Sequence, residues 1–205
     1  MLTIHHLGLS QSERIIWLCE ELGLPYDLIR YEREPSMAAP PAYKALHPVG
    51  TAPIITDGDL TLAETGAIVE YISRRHADGR LILGPEDPDF AHYLFWFHFA
   101  NGSMLPAFMM DMTAKRLGAE PGSSRTSIAF DLIEQRLGDA EWFAGEKFTV
   151  ADILMGFPLT RARAFSGQDI SSRPNLRAYL QRVGARPGFR AAMAIAEPDH
   201  PPQLD

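Results

Sequence analysis

Cysteine is nearly absent: Cys19 stands alone among 205 residues. One thiol cannot close an internal disulfide, and it excludes Cys-x-x-Cys redox chemistry and cysteine-rich zinc sites. Long apolar runs are missing as well. The longest, such as Ile15-Ile16-Trp17-Leu18-Cys19 and residues 191–196, fall short of the ~18 residues a membrane helix needs. Basic charge is the scarcer sign, with 19 Lys and Arg against 26 Asp and Glu and a net charge of −7. An acidic surface repels phosphate backbones, so nucleic acid is not an expected partner. The first residues, Met1-Leu2-Thr3-Ile4-His5-His6-Leu7, carry no basic stretch and no cleavage signal, and are expected to be structure and not an address. The cytoplasm is the expected location, with no membrane attachment, and small-molecule chemistry the expected business.

What is present suits a folded chain: 46% hydrophobic and 22% charged residues. At ~100–200 residues per domain, one or two domains are expected. Residues 1–77 alternate strand and helix signals. Thr3 to Leu7 reads as a strand ending at Gly8. Ser10-Gln11-Ser12-Glu13 then supplies capping residues, and Ile15, Leu18, Cys19 and Leu22 fall at the spacing of a buried helical face. Gly23 stops that helix, and Tyr26 to Tyr31 reads as a second strand, parallel to the first. A proline-rich loop follows, with a short helix near Tyr43–Leu46. Pro53 to Thr56 and Leu60 to Leu62 form a hairpin across Asp57-Gly58, and Thr65 to Arg75 is helical. The order is β-α-β-(α)-β-β-α. Residues 78–88 are a linker by composition. Beyond them strand signals cease. Helices are expected over Phe90–Met112, interrupted near Gly102 and Pro106, then Ser124–Leu137, Val150–Ala164, Asn175–Val183 and Phe189–Ile195. The expected architecture is an α/β domain over 1–77 and an all-α domain over 89–205.

Three places in the first domain carry chemistry. Ser10 lies between a strand and a helix N-terminus, where the dipole favours anions. Gly8-Leu9-Ser10-Gln11-Ser12 misses the hydrolase elbow G-x-S-x-G by its last glycine, and no acid–histidine pair is placed downstream. Alternatively Ser10 donates to a bound thiolate. An ordinary thiol has a pKa near ~8.5. A hydrogen bond to a charged group is worth ~1.5–3 kcal/mol at ~1.4 kcal/mol per pKa unit, so the hydroxyl lowers a thiol by about one to two units. A third reading makes Ser10 or Ser12 a plain helix cap. In Val49-Gly50-Thr51-Ala52-Pro53-Ile54, Pro53 is either a cis-proline that leaves the Ala52 backbone free to pair with an extended peptide, or an ordinary strand-opening proline. In Glu64-Thr65-Gly66, Thr65 is a good N-cap. The amides there suit a carboxylate and Glu64 suits an ammonium group, unless this is simply a capped helix with a solvated glutamate. Together the three describe a ligand with an amino-acid head, a peptide bond and a thiol, and glutathione is such a molecule.

At these residues the sequence resembles a cytosolic, bacterial-like glutathione S-transferase of the serine type, over nearly its whole length. Leu9-Ser10-Gln11-Ser12-Glu13-Arg14 matches the serine-type active-site turn. Gly50-Thr51-Ala52-Pro53, Asp57-Gly58-Asp59-Leu60 and Leu62-Ala63-Glu64-Thr65-Gly66-Ala67-Ile68 match the glutathione-site segment. Phe143 to Asp152 resembles the family's C-terminal capping-box signature, whose Thr149 and Asp152 are structural. The resemblance implies a thioredoxin-like N-terminal domain with a cis-proline, an all-helical C-terminal domain, a homodimer and a detoxifying transferase activity. It implies that Ser10 hydrogen-bonds the glutathione sulfur. The Ala52 backbone with Pro53 would hold the cysteinyl moiety, and Glu64 and Thr65 the γ-glutamyl end. Thr65 stands where many relatives have serine, and Thr51 where many have lysine or glutamine. That leaves Lys44 and His47 as the basic residues toward the glycyl end. Glutathione is thus the expected co-substrate.

Leu9 and the stripe Met104, Phe108 and Met112 are candidates to touch a small hydrophobic electrophile, although such a stripe also suits a helix core. Trp96, Phe97 and Phe99 suit packing. Cys19 reads as a buried structural thiol. The seven histidines (His5, His6, His47, His76, His92, His98, His200) show no metal-ligand spacing, so no metal is expected. Two other functions fit the same residues: glutathione-dependent disulfide or peroxide reduction, and a transferase-like scaffold that binds without catalysis.

Overall fold

The computed structural model describes residues 1–118, 125–163 and 167–205. β1 (Leu2–Leu7), α1 (Glu13–Leu22) and β2 (Asp27–Tyr31) come first, then a short α2 (Pro41–Lys44). β3 (Ile54–Asp57) and β4 (Leu60–Ala63) form the hairpin, and α3 (Thr65–His76) closes the series. The four strands make one sheet in the order β2-β1-β3-β4. β1 runs parallel to β2 and antiparallel to β3, with Ile4 opposite both Leu28 and Ile55. This is the expected thioredoxin-like order. Alternation along β1 puts Leu2, Ile4 and His6 on one face and Thr3, His5 and Leu7 on the other. Leu7 joins Tyr43, Ile54 and Ala63 in one apolar cluster, while His6 is held beneath the start of α1.

α1 ends as its sequence requires. Gly23 takes φ 62°, and the Gly23 and Leu24 amides donate to Glu20 and Cys19 carbonyls, closing the last turn. Its start differs from expectation. Ser12 occupies the cap position in a helical conformation, and its side chain caps nothing. Glu64, not Thr65, is the cap residue of α3, with φ 72°. The chain turns one residue earlier there, so Thr65 is already helical.

Among the described residues the remaining helices are α4 (Phe90–Phe99), α5 (Leu105–Arg116), α6 (Arg125–Asp139), α7 (Val150–Phe157), α8 (Pro174–Ala185) and α9 (Pro187–Ala196). The interruption expected near Gly102 and Pro106 is a π-helical turn over Ala100–Met104. A second π-helical turn, Pro158–Ala162, follows α7. The expected helix ends at Ser124 and Ala164 lie outside the described residues. Thr149 and Asp152 form the capping box. The Thr149 hydroxyl accepts from the Ala151 amide at 3.2 Å, and the Asp152 carboxylate accepts from the Thr149 amide at 2.9 Å. Among the described residues no helix is long and apolar enough to cross a membrane.

The chain divides into two compact units, residues 1–82 with 186–201, and residues 83–185 with 202–205. Composition alone predicts the border at a 78–88 linker, with α9 in the helical half. Local signals mark α9 only as a helix, and its partner is remote in the chain. α9 lies on α1: Phe189 meets Trp17 edge-on with centroids 4.9 Å apart. Arg186 donates to both Glu21 carboxylate oxygens at 2.8 and 2.7 Å. Gly188 permits the approach, since a Cβ there would stand 2.7 Å from the Glu21 Cδ.

Candidate active site

The turn from β1 to α1 is held by two charged side chains. Leu9 takes φ 51°, a left-handed conformation rare for a branched residue. Its amide donates to the Glu197 carboxylate, and its carbonyl accepts from Arg33 Nη2 at 3.2 Å. Arg33 also donates to the carbonyls of Gly8 and Met37 at 2.7 and 2.6 Å. Two charged side chains therefore clamp the backbone of the residue before Ser10. Burial holds the Arg33 guanidinium below its ordinary pKa, against the raising influence of Glu197.

Ser10 is 5% exposed. Its hydroxyl pairs with the Ser12 hydroxyl at 2.7 Å and accepts from the Ser12 amide at 3.2 Å. The first amides of α1 are taken: those of Glu13, Arg14 and Ile15 donate to the carbonyls of Ser10, Gln11 and Ser12. The helix end thus acts on an anion through its dipole.

The Ala52-Pro53 peptide is cis, with Ala52 half-buried and Pro53 buried. Glu64 is exposed and Thr65 buried, and the Thr65 hydroxyl accepts from Arg14 Nη2 at 3.2 Å. Arg14 also donates to the Gln11 side chain, which ties the start of α1 to the start of α3. Burial lowers the Arg14 pKa to about 9, against the raising influence of Glu13. His47 is half-buried, and its Nδ1 accepts from the Val49 amide at 3.2 Å.

The candidate electrophile residues divide. Leu9, with Met37, lines a cavity of about 500 Å³ whose other walls include Arg33, Glu34, Glu197 and His200. Met104 and Phe108 are buried, Phe108 with its ring 6.0 Å from that of Phe130, and Met112 is half-buried. The first two are packed as a helix core would be. Cys19 is fully buried, and burial, with Glu20 adding, pushes its thiol up to about 12, where it stays protonated. Among the described residues no cluster of three or more His, Cys, Asp or Glu side chains is arranged to hold a metal ion.

Sequence reasoning missed four residues of this region. Arg14 entered the sequence reading only as the last residue of the active-site turn, and no motif contained Arg33. His6 entered as a strand residue, and no motif contained Glu197. No spacing rule links His6 to Glu197, because the contact spans most of the chain.

Comparison with known proteins gives the family. Residues 10–75 match the glutathione S-transferase N-terminal domain, and residues 104–187 match its C-terminal domain. Glutathione S-transferase 3 of Schizosaccharomyces pombe is 32% identical over 221 residues, covering 96% of this chain and 88% of that protein. A glutathione S-transferase crystal structure from Actinobacillus pleuropneumoniae superposes with a TM-score of 0.85 at 30% identity, over 100% of this chain and 95% of that one. A glutathione transferase homologue from Sulfitobacter with bound glutathione has the same fold, with a TM-score of 0.78 at 24% identity over 95% of this chain and 98% of that one.

Proposed function

The chain belongs to the glutathione S-transferase family and is a glutathione transferase, and from that premise we propose that Ser10 is the residue that holds the glutathione sulfur as thiolate. The Ser10 hydroxyl donates to the sulfur while the positive end of α1 adds its dipole. The single observation that carries this reading is the placement of Ser10. Its hydroxyl stands at the mouth of α1 on a turn that Arg33 and Glu197 fix through Leu9. Preorganised donors aimed at a developing charge stabilise it without reorganisation at the moment of reaction.

The rest of the tripeptide follows the line of the sheet. The Ala52 backbone beside Pro53 pairs with the cysteinyl residue. Thr65 and the α3 N-terminus take the γ-glutamyl carboxylate, and Glu64 its ammonium group. Support comes from the Arg14 guanidinium, which holds the Thr65 hydroxyl in place and leaves that hydroxyl its own proton to donate. His47 stands toward the glycyl carboxylate. A small hydrophobic electrophile meets the sulfur on the Leu9 side, where Leu9, Met37, Pro35 and Pro198 contribute apolar surface to the cavity. The working form is a cytoplasmic homodimer.

Conjugation of glutathione to an aryl halide, followed across pH, tests the central role. Ser10→Ala is expected to lower the rate at neutral pH about ten- to hundredfold and to raise the pH midpoint by about one to two units. An unchanged pH profile would remove Ser10 from the sulfur.

A further inference from the structure

Behind Ser10 a file of buried polar side chains leads away from the sulfur. Ser12 is 0% exposed, His6 1% and Glu197 7%. The Ser12 hydroxyl lies 2.7 Å from the Ser10 hydroxyl and 2.8 Å from His6 Nδ1. On the far side of the ring, His6 Nε2 lies 3.1 Å from the Ala196 carbonyl and 3.3 Å from a Glu197 carboxylate oxygen. Two acceptors facing Nε2 keep a proton on it in every state, because a bare ring nitrogen there would set lone pair against lone pair. The open variable is one proton on Nδ1.

Counting donors and acceptors shows what that proton decides. With Nδ1 bare, the Ser12 hydroxyl donates to it, and Ser12 Oγ accepts from the Leu7 amide at 3.2 Å. Its remaining lone pair accepts the Ser10 proton, so Ser10 points inward. With Nδ1 protonated, Ser12 Oγ accepts from both Nδ1 and the Leu7 amide and must donate, to Ser10 at 2.7 Å in preference to the Leu7 carbonyl at 3.4 Å. Ser10 Oγ then accepts from the hydroxyl and the amide of Ser12. Its own proton is released to face a thiolate.

We propose that His6 receives the proton of the glutathione thiol through Ser10 and Ser12, and that Glu197 carries the opposing charge. The inference rests on the Ser10 reading above. The balance is simple: the S–H bond breaks and the Nδ1–H bond forms, while each serine takes one proton and passes one on. No electrons leave or enter. Thiolate and imidazolium appear together, with the Ser10 O–H turned to the sulfur. His6, Ser12 and Glu197 act through Ser10 and are positioning residues. The other charged groups around the ring are Arg30 on β2, which donates to the same Ala196 carbonyl at 2.9 Å, and Arg33, which holds Leu9. Glu32, Glu34, Asp199 and His200 line the cavity that His6 also borders. Among these groups Glu197 is the carboxylate in contact with the ring.

The test counts protons against thiolate. Glutathione is added near neutral pH, thiolate is read by its ultraviolet absorbance, and protons released to solvent are read by an indicator dye. The wild-type chain is expected to form thiolate while releasing well under half a proton for each one. His6→Gln and Glu197→Gln are expected to release close to one proton per thiolate. Their midpoint rises by about one pH unit, with kcat/KM on an aryl halide down about tenfold at pH 7. A wild-type release of one full proton per thiolate overturns the relay. Should His6→Gln not fold, the wild-type count and Glu197→Gln decide alone. Ser10→Ala separates the two claims. If its midpoint is unchanged, the Ser10 reading and the relay both fall. If its midpoint rises while the wild type releases a full proton, only the relay falls.

Discussion

Thr65 shows how a single hydroxyl couples two elements. Its oxygen accepts from the buried Arg14 at the start of α1, and in the proposed binding mode its proton remains for the γ-glutamyl carboxylate. Thr65→Val keeps the shape, leaves the guanidinium without this partner and removes the donor. The KM for glutathione is expected to rise roughly tenfold or more, the worth of a charge-assisted hydrogen bond, while Thr65→Ser stays close to wild type. Steady-state kinetics with glutathione varied will show it. Ser10, Pro53, Glu64 and Thr65 stood out in the sequence as candidates because each sits within a few residues of a strand end or helix start that marks it. Ser12 was legible only as a cap. That it hands its hydroxyl to His6 depends on which face of β1 lies under α1. Glu197 was invisible because no local pattern carries a contact with residues at the other end of the chain.

Elements were easier to read than their partners. The helical periods and the Asp57-Gly58 hairpin gave the sheet and most helices within a few residues. The π-helical turns at 100–104 and 158–162 showed only as breaks in the pattern at Gly102 and Pro106, or not at all. The capping box of α7 was legible because Thr149-x-x-Asp152 is a local rule. Its energetic weight was not. The Asp152 carboxylate also accepts from the Phe143 amide at 3.0 Å and the Tyr179 hydroxyl at 3.3 Å, so it anchors the loop before α7. Asp152→Ala leaves two buried amides unpaired, at about 1–3 kcal/mol each. A drop in Tm of roughly 4–24 °C is expected, at ~2–4 °C per kcal/mol for a chain of this size.

Asp152 also sets a pH dependence. Burial raises its pKa from 3.8 to about 6, against the lowering influence of its hydrogen bonds. The folded form therefore binds this proton more tightly than the unfolded one. The stability from this source is complete below pH 3.8 and is lost as pH rises through about 6. The Tm difference between wild type and Asp152→Asn is expected to shrink in the wild type's disfavour between those limits. A difference that grows with pH would mean the carboxylate is the favoured form.

At the scale of the whole molecule, residues 186–201 belong with the chain's beginning. α9 covers α1 through Phe189 and Trp17, and the residue after it reaches the Leu9 amide. A chain ending at residue 185 loses both the apolar cover and one side of the clamp. It is expected to lose the cooperative melt of the first unit, whereas Phe189→Ala costs about 3–5 kcal/mol and leaves a folded protein. Thermal denaturation of the two variants distinguishes them. A truncated chain that melts like wild type would show that α1 needs no cover. The sequence could not announce this return, since α9 carries the same helical signals as the helices before it and its contact with α1 is remote in the chain.

The most direct measurement is a spectroscopic titration of glutathione bound to the protein, with the thiolate followed by its ultraviolet absorbance as pH is raised. Bound glutathione in the wild type is expected to ionise about one to two pH units below the ordinary ~8.5 of a thiol, and in Ser10→Ala to return toward that value. The same midpoint in both proteins would contradict a sulfur held by Ser10.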